Sequence, residues 1–141
     1  MLTINRLSID EAYVLIAGAR AKAQEINVPM CIAVTDESGN LIAFERMDDS
    51  KVTSIQLAID KSFTAIGIRK GTHILGEVNQ PGQPAYGISS TLGGRMVAIG
   101  GGLPVLVNDA VVGGIGVSSG SPAQDLEVAT AGVTAFTDTL K

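Results

Sequence analysis

Gly100-Gly-Gly-Leu-Pro-Val-Leu-Val-Asn-Asp-Ala-Val-Val-Gly-Gly-Ile-Gly-Val-Ser-Ser-Gly-Ser-Pro-Ala-Gln-Asp125 carries the reading that decides the fold. Two apolar runs, Leu103 to Val107 and Ala110 to Val117, flank Asn108-Asp109, a two-residue connection of hairpin type, so they should pair antiparallel. The second run then enters a helix with a defined start. Ser121 can cap it, Pro122 fits its first turn, and Gln124 stands at the spacing of a capping box. The free N–H groups of that helix open beside Gly114, Gly116, Ser118, Ser119 and Gly120, where glycine allows close approach and serine offers hydroxyls. An anionic or carboxylate group is the expected guest. The plainer alternative is that these glycines only shape a hairpin and a tight strand-to-helix turn.

Upstream, Ser8-Ile-Asp-Glu11 is a second capping box, opening a helix to about Ile26 with Ala12, Leu15, Ile16, Ala19 and Ala23 on one face. Met30 to Thr35 and Leu41 to Met47 read as strands joined by the turn-rich Asp36-Glu-Ser-Gly-Asn40. A second long helix is expected from about Lys51 to Arg69, capped by Asp48, Asp49 or Ser50 and ended by Gly71, with a brief helical stretch from Thr72 to Val78. It carries one apolar stripe through Ile55, Ala58, Ile59, Phe63 and Ile66 and another through Leu57, Thr64, Ala65 and Ile68, flanking Lys61. One face suits the domain's own sheet and the other a second subunit. Lys61 then sits at an interface or in a pocket; the alternatives are a solvated lysine or one paired with Asp60 or Asp125.

Asn79 to Gly94 lacks periodicity and is rich in Gly, Pro and Ser, so a long loop is expected there, as a lid, a pocket wall or a surface excursion. Met96 to Ile99 reads as a further strand. The order αββα(α)βββα, with hairpins between most neighbours, predicts an α+β domain: a five-stranded antiparallel sheet of profilin-like shape packed with helices. A Rossmann fold does not fit, because Gly113-Gly-Ile-Gly-Val117 closes the last strand instead of opening a first βα unit.

At 141 residues the chain is expected to form one domain over 1–141, long enough to bury a core without disulfides. A net charge of −4 offers no basic stripe for phosphates, which argues against nucleic acid. Cys31 is the single cysteine, so no internal disulfide forms. The first ten residues lack the pattern of a signal peptide and no run approaches the length of a membrane span, so a cytoplasmic protein is expected, with no membrane partner.

Ile32-Ala-Val-Thr-Asp36 with Gly39-Asn-Leu41, Phe44-Glu-Arg-Met-Asp48, Ala58-Ile-Asp-Lys61, Gly101-Gly-Leu-Pro104 and Val112-Gly-Gly-Ile-Gly-Val-Ser118 followed by Gln124-Asp125 together resemble the GlcG/HbpS family of haem-degrading domains. The same family includes the C-terminal domain of PduO-type proteins, and the likeness spans nearly the whole chain. It implies a profilin-like sheet and a homo-oligomer, from dimers up to rings or octamers. Members bind haem, act in corrinoid metabolism, sit beside glycolate-use genes or serve as small-molecule lyases. The ligand implied here is haem or a related tetrapyrrole, or another small anionic molecule.

A haem iron needs a donor such as His, Met, Cys or Tyr in an apolar slot. His73 is the sole imidazole and the leading candidate metal ligand; Met30, Cys31, Met47, Met96 and Tyr86 rank behind it. Propionates could meet Lys61, Arg46, Arg95 or the helix start at Ser121. A zinc hydrolase finds no second histidine, and a serine hydrolase finds no base beside Ser118 or Ser119. Two other readings remain: a cofactor-free lyase or isomerase on a small carboxylate, with Lys61, Glu45 or Asp125 moving a proton and Arg46 or Arg95 gripping the substrate, and a non-catalytic accessory subunit.

Overall fold

Two reciprocal capping boxes frame the chain. The Ser8 hydroxyl accepts from Glu11 N and the Glu11 carboxylate takes the Ser8 N–H, which starts α1 (Ile9–Glu25). Ser121 and Gln124 do the same for α4 (Pro122–Asp138). Between them the computed structural model, which describes residues 1–141, places β1 (Cys31–Asp36), β2 (Leu41–Arg46), α2 (Ser54–Ile68), α3 (Thr72–Val78), two short 3-10 turns, β3 (Gly102–Val107) and β4 (Ala110–Ser118).

The strands form one antiparallel sheet in the order β2-β1-β4-β3. Asn108 and Asp109 both take positive φ, as the tight β3–β4 turn demands. At the β1–β2 turn the Asp36 carboxylate accepts from the backbone N–H groups of Ser38 and Asn40, each at 2.9 Å. Helices cover both faces of the sheet. Leu15 and Ile16 of α1 and Val128 and Phe136 of α4 pack with Ile32, Val34, Ile115 and Val117 on one side. On the other side α2 lies on β1, β4 and β3, with Ala58 against Cys31 and Ala33. Every residue of β1 is therefore buried, which suits the apolar run from Cys31 to Val34.

The sheet has four strands, not the five expected, and the element order is αββααββα. Met96 to Ile99 is not a strand because side chains of the helices take its backbone groups. Val97 N donates to Thr64 Oγ1 at 3.0 Å and Thr72 Oγ1 donates to the Ile99 carbonyl. Pro104 on β3 also has no N–H to offer a fifth strand, so β3 stays an edge. The start of α2 differs as well. It follows Thr53 without a side-chain cap, since Ser50 Oγ donates to the Met47 carbonyl instead, and it ends on Arg69 in the left-handed region, two residues before Gly71. No helix is long and apolar enough to cross a membrane.

Candidate functional site

α3 begins beside Gly71 and runs past the segment 96–101 toward the start of α4, and a cleft of about 500 Å3 opens where the three meet. His73 and Glu77 line it from α3, Gln80 from just beyond that helix, Ala98, Ile99 and Gly100 from the connecting segment, and Pro122, Ala123 and Leu126 from α4. Two glycines bring these walls together. A Cβ on Gly76 would lie 2.7 Å from the Ala98 carbonyl oxygen, and one on Gly100 would lie 3.0 Å from that of Pro122. The cleft is largely apolar, and it faces the dipole end of α4.

His73 is its most reactive side chain. The ring folds against Gly71, and its Nδ1 is buried with no hydrogen-bond partner, the one such side-chain atom in the molecule. Buried polar atoms are nearly always paired, because leaving one alone costs about 1–3 kcal/mol. No carbonyl or carboxylate fixes the tautomer, but Nδ1 is packed against Gly71, so a ligand in the cleft reaches that nitrogen only if the ring turns.

Lys61 lies elsewhere, in the interior. It is 2% exposed; its Nζ donates to Asp125 Oδ2 at 2.8 Å and to the Val117 carbonyl at 3.0 Å, and the other Asp125 oxygen accepts from Gly120 N. Burial pushes the Lys61 ammonium below its ordinary pKa while the Asp125 hydrogen bond opposes that shift. The pair ties α2, β4 and α4 together beneath Gly101. Gly114 and Gly116 face α2 rather than open space: the Ala58 carbonyl occupies the place a Gly116 Cβ would need, and Ile66 Cγ2 stands 2.5 Å from that of Gly114. Ser118 is buried with its hydroxyl on Ser54 Oγ at 3.1 Å. Arg95 sits over the Phe63 ring at 3.8 Å with Nε on Asp60, outside the cleft. Of the expected site residues, His73 lines the cleft, Ser121 caps α4 next to its Pro122 wall without lining it, and the others are dispersed.

A model of the HbpS-like family, described as haem degrading protein HbpS-like, matches residues 7–134. The chain belongs to the HbpS-like family. It is 39% identical over 135 residues to a 15.0 kDa protein encoded between dhaT and dhaS in Citrobacter freundii, covering 96% of this chain and 95% of that one. The Klebsiella pneumoniae protein ORFY superposes with a TM-score of 0.95 at 34% identity, over 97% of this chain and 94% of that one. Corrinoid adenosyltransferase PduO of Salmonella typhimurium is 35% identical over 130 residues, which are 92% of this chain and only 39% of that enzyme. A structure of PduOC in complex with haem superposes with a TM-score of 0.89 at 35% identity, over 92% of this chain and 94% of that one.

The residues of this HbpS-like chain fit such a group. The cleft supplies one imidazole without a protein partner, an apolar wall of Ala98, Ile99, Pro122, Ala123 and Leu126, and the positive dipole end of α4, where the capping box already takes the Gln124 N–H and Pro122 has none to give. The sequence reading singled out His73 but not Glu77, four residues on and on the same face of α3, nor Gln80 just beyond that helix. It also missed Asp60 as the partner of Arg95, a contact between residues 35 apart that no local pattern announces.

Proposed function

We propose that this protein binds haem or a related tetrapyrrole in the cleft between α3 and the start of α4, where His73 would hold the iron. The observation that carries the reading is the unpartnered imidazole of His73 at the edge of an apolar cleft, in a chain whose relative PduOC forms a haem complex. Bound haem would supply the redox and ligand chemistry of its iron. The chain's own part is to offer a nitrogen, exclude water with Ala98, Ile99 and Leu126, and place a carboxylate near the N-terminus of α4. Lys61, Gly114, Gly116 and Ser118 act behind this site by holding α2, β4 and α4 in place. Ser121 acts at it, by defining where α4 begins.

The setting that fits this chemistry is a cytoplasmic homo-oligomer. Its ligand is drawn from haem, corrinoid, glycolate or diol metabolism, the first two in keeping with the names of its relatives. A second reading rests on His73 and Glu77, one helical turn apart in the same cleft, which suit a cofactor-free lyase or isomerase moving a proton on a small carboxylate. A haem titration followed by absorbance, run beside His73→Ala and beside cobalamin, separates these. A saturable Soret band at a fixed ratio, lost in the variant, is expected. Saturation that survives the variant removes His73 from the site, and the absence of any specific band moves the acid–base reading ahead.

A further inference from the structure

Arg95 is held in a way that the haem reading does not use. Three contacts immobilise it. Its Nε donates to Asp60 Oδ1 at 3.0 Å, its guanidinium lies over the Phe63 ring at 3.8 Å, and its carbonyl accepts from Thr64 Oγ1 at 3.1 Å. Each anchor is itself fixed. Asp60 is 8% exposed and also accepts from Gln56 Nε2 at 3.0 Å. The one Thr64 hydroxyl proton is shared between the Asp60 carbonyl at 2.7 Å and the Arg95 carbonyl, and Oγ1 accepts from Val97 N. Phe63 is backed by Gly39, where a Cβ would lie 2.7 Å from the ring.

Neither Nη of Arg95 has a partner, and two-fifths of the side chain is open to solvent. The other arginines that pair with carboxylates do so through their Nη atoms: Arg6 grips Glu37 with Nε and Nη2, and Arg20 reaches Glu45 with Nη1. Arg95 alone is anchored by Nε and the ring face, which leaves the outer fork aimed away from its anchors. A guanidinium already stripped of rotamer freedom loses little entropy on gaining a partner, and two parallel N–H groups match the two oxygens of a planar oxyanion.

We infer that Arg95 is a preorganised receptor for a carboxylate, distinct from the His73 cleft, with Asp60, Phe63 and Thr64 as its positioning residues. The neighbouring Asp60 charge selects the class of ligand. Asp60 cancels the net charge of Arg95, so the fork holds an oxyanion by paired hydrogen bonds more than by net charge, and a phosphate dianion, which costs more to strip of water, gains less than a carboxylate.

The test follows the Arg95 side-chain N–H signals of 15N-labelled protein by NMR during titration with acetate, inorganic phosphate and chloride at matched ionic strength. Acetate is expected to shift them saturably, phosphate more weakly, and chloride not at all. Arg95→Lys, which keeps the charge and removes the fork, should weaken acetate roughly tenfold or more. Asp60→Asn, which keeps an acceptor for Nε, should gain more affinity for phosphate than for acetate, an effect that a merely structural aspartate would not produce. His73→Ala should leave the titration unchanged, so this inference and the haem reading fail separately. The inference is overturned if acetate acts only as chloride does, if phosphate binds more tightly than acetate to the unaltered protein, or if Arg95→Lys retains full affinity. It is also overturned if Arg95→Gln lowers the molar mass in light scattering, because the fork then serves a contact between copies of the chain.

Discussion

Single side chains here are read by what surrounds them. From the sequence Lys61 is a pocket or interface cation, a solvated lysine or a partner of Asp60 or Asp125, and the structure makes it one half of a buried ion pair with Asp125. Removing one member strands the other charge in the interior, so Lys61→Ala should cost about 3–5 kcal/mol of stability by urea denaturation, and Lys61→Met with Asp125→Leu far less. Glu37 is the opposite case, a carboxylate held by Arg6 through paired hydrogen bonds and lowered to about 2 from its ordinary 4.5. Because the folded pKa is depressed, the stabilisation it contributes is present above about 4.5 and is lost as pH falls toward about 2. Solvent screening keeps that contribution small. In Arg6→Ala the Glu37 carboxyl should titrate again near its ordinary value, which carboxyl-carbon NMR reads directly. Ser8 and Ser121 were legible as caps because a cap is decided within four residues, whereas the orphaned nitrogen of His73 depends on residues that only the fold assembles.

At the scale of elements, the two helices with capping boxes and the β3–β4 hairpin follow from local spacing, and the structure reproduces them. Ser121→Ala should remove about 1 kcal/mol and loosen the α4 end of the cleft, seen as a lower thermal midpoint. The contact between α2 and β4 is less visible in sequence. Gly116 is required because the α2 backbone rests directly on it, so the close approach is by a helix and not by a ligand. Gly116→Ala should cost about 1–3 kcal/mol through overpacking, and Gly116→Val should prevent α2 from docking, with loss of cooperative unfolding as the readout. Met96 to Ile99 has the composition of a strand and lacks a partner, since hydroxyls of α2 and α3 capture its backbone first.

For the whole molecule, ligand binding and assembly are the quantities to measure. A ligand that binds only the folded state stabilises it by about 2.7 kcal/mol at a hundredfold excess over its Kd, so haem should raise the melting temperature of the protein and not that of His73→Ala. Phe44, Ile55 and Ile59 are half-buried on the α2 side and Val52 is 65% exposed, a surface suited to a second copy of the chain. Light scattering should accordingly return a mass above 14.5 kDa, and a monomer would remove that surface from consideration. The sequence by itself determined the α+β class, all eight helices and strands to within a few residues, and the small polar repertoire from which any site must be drawn. Those features are set by periodicity and capping, which act over one or two turns of chain. The tertiary structure alone decided that the sheet stops at four strands, that Lys61 is internal, that His73 is uncommitted and that Arg95 is pinned with its fork free. Each of these depends on which distant group reaches a hydrogen-bonding atom or a helix face first, and spacing along the chain does not encode that competition.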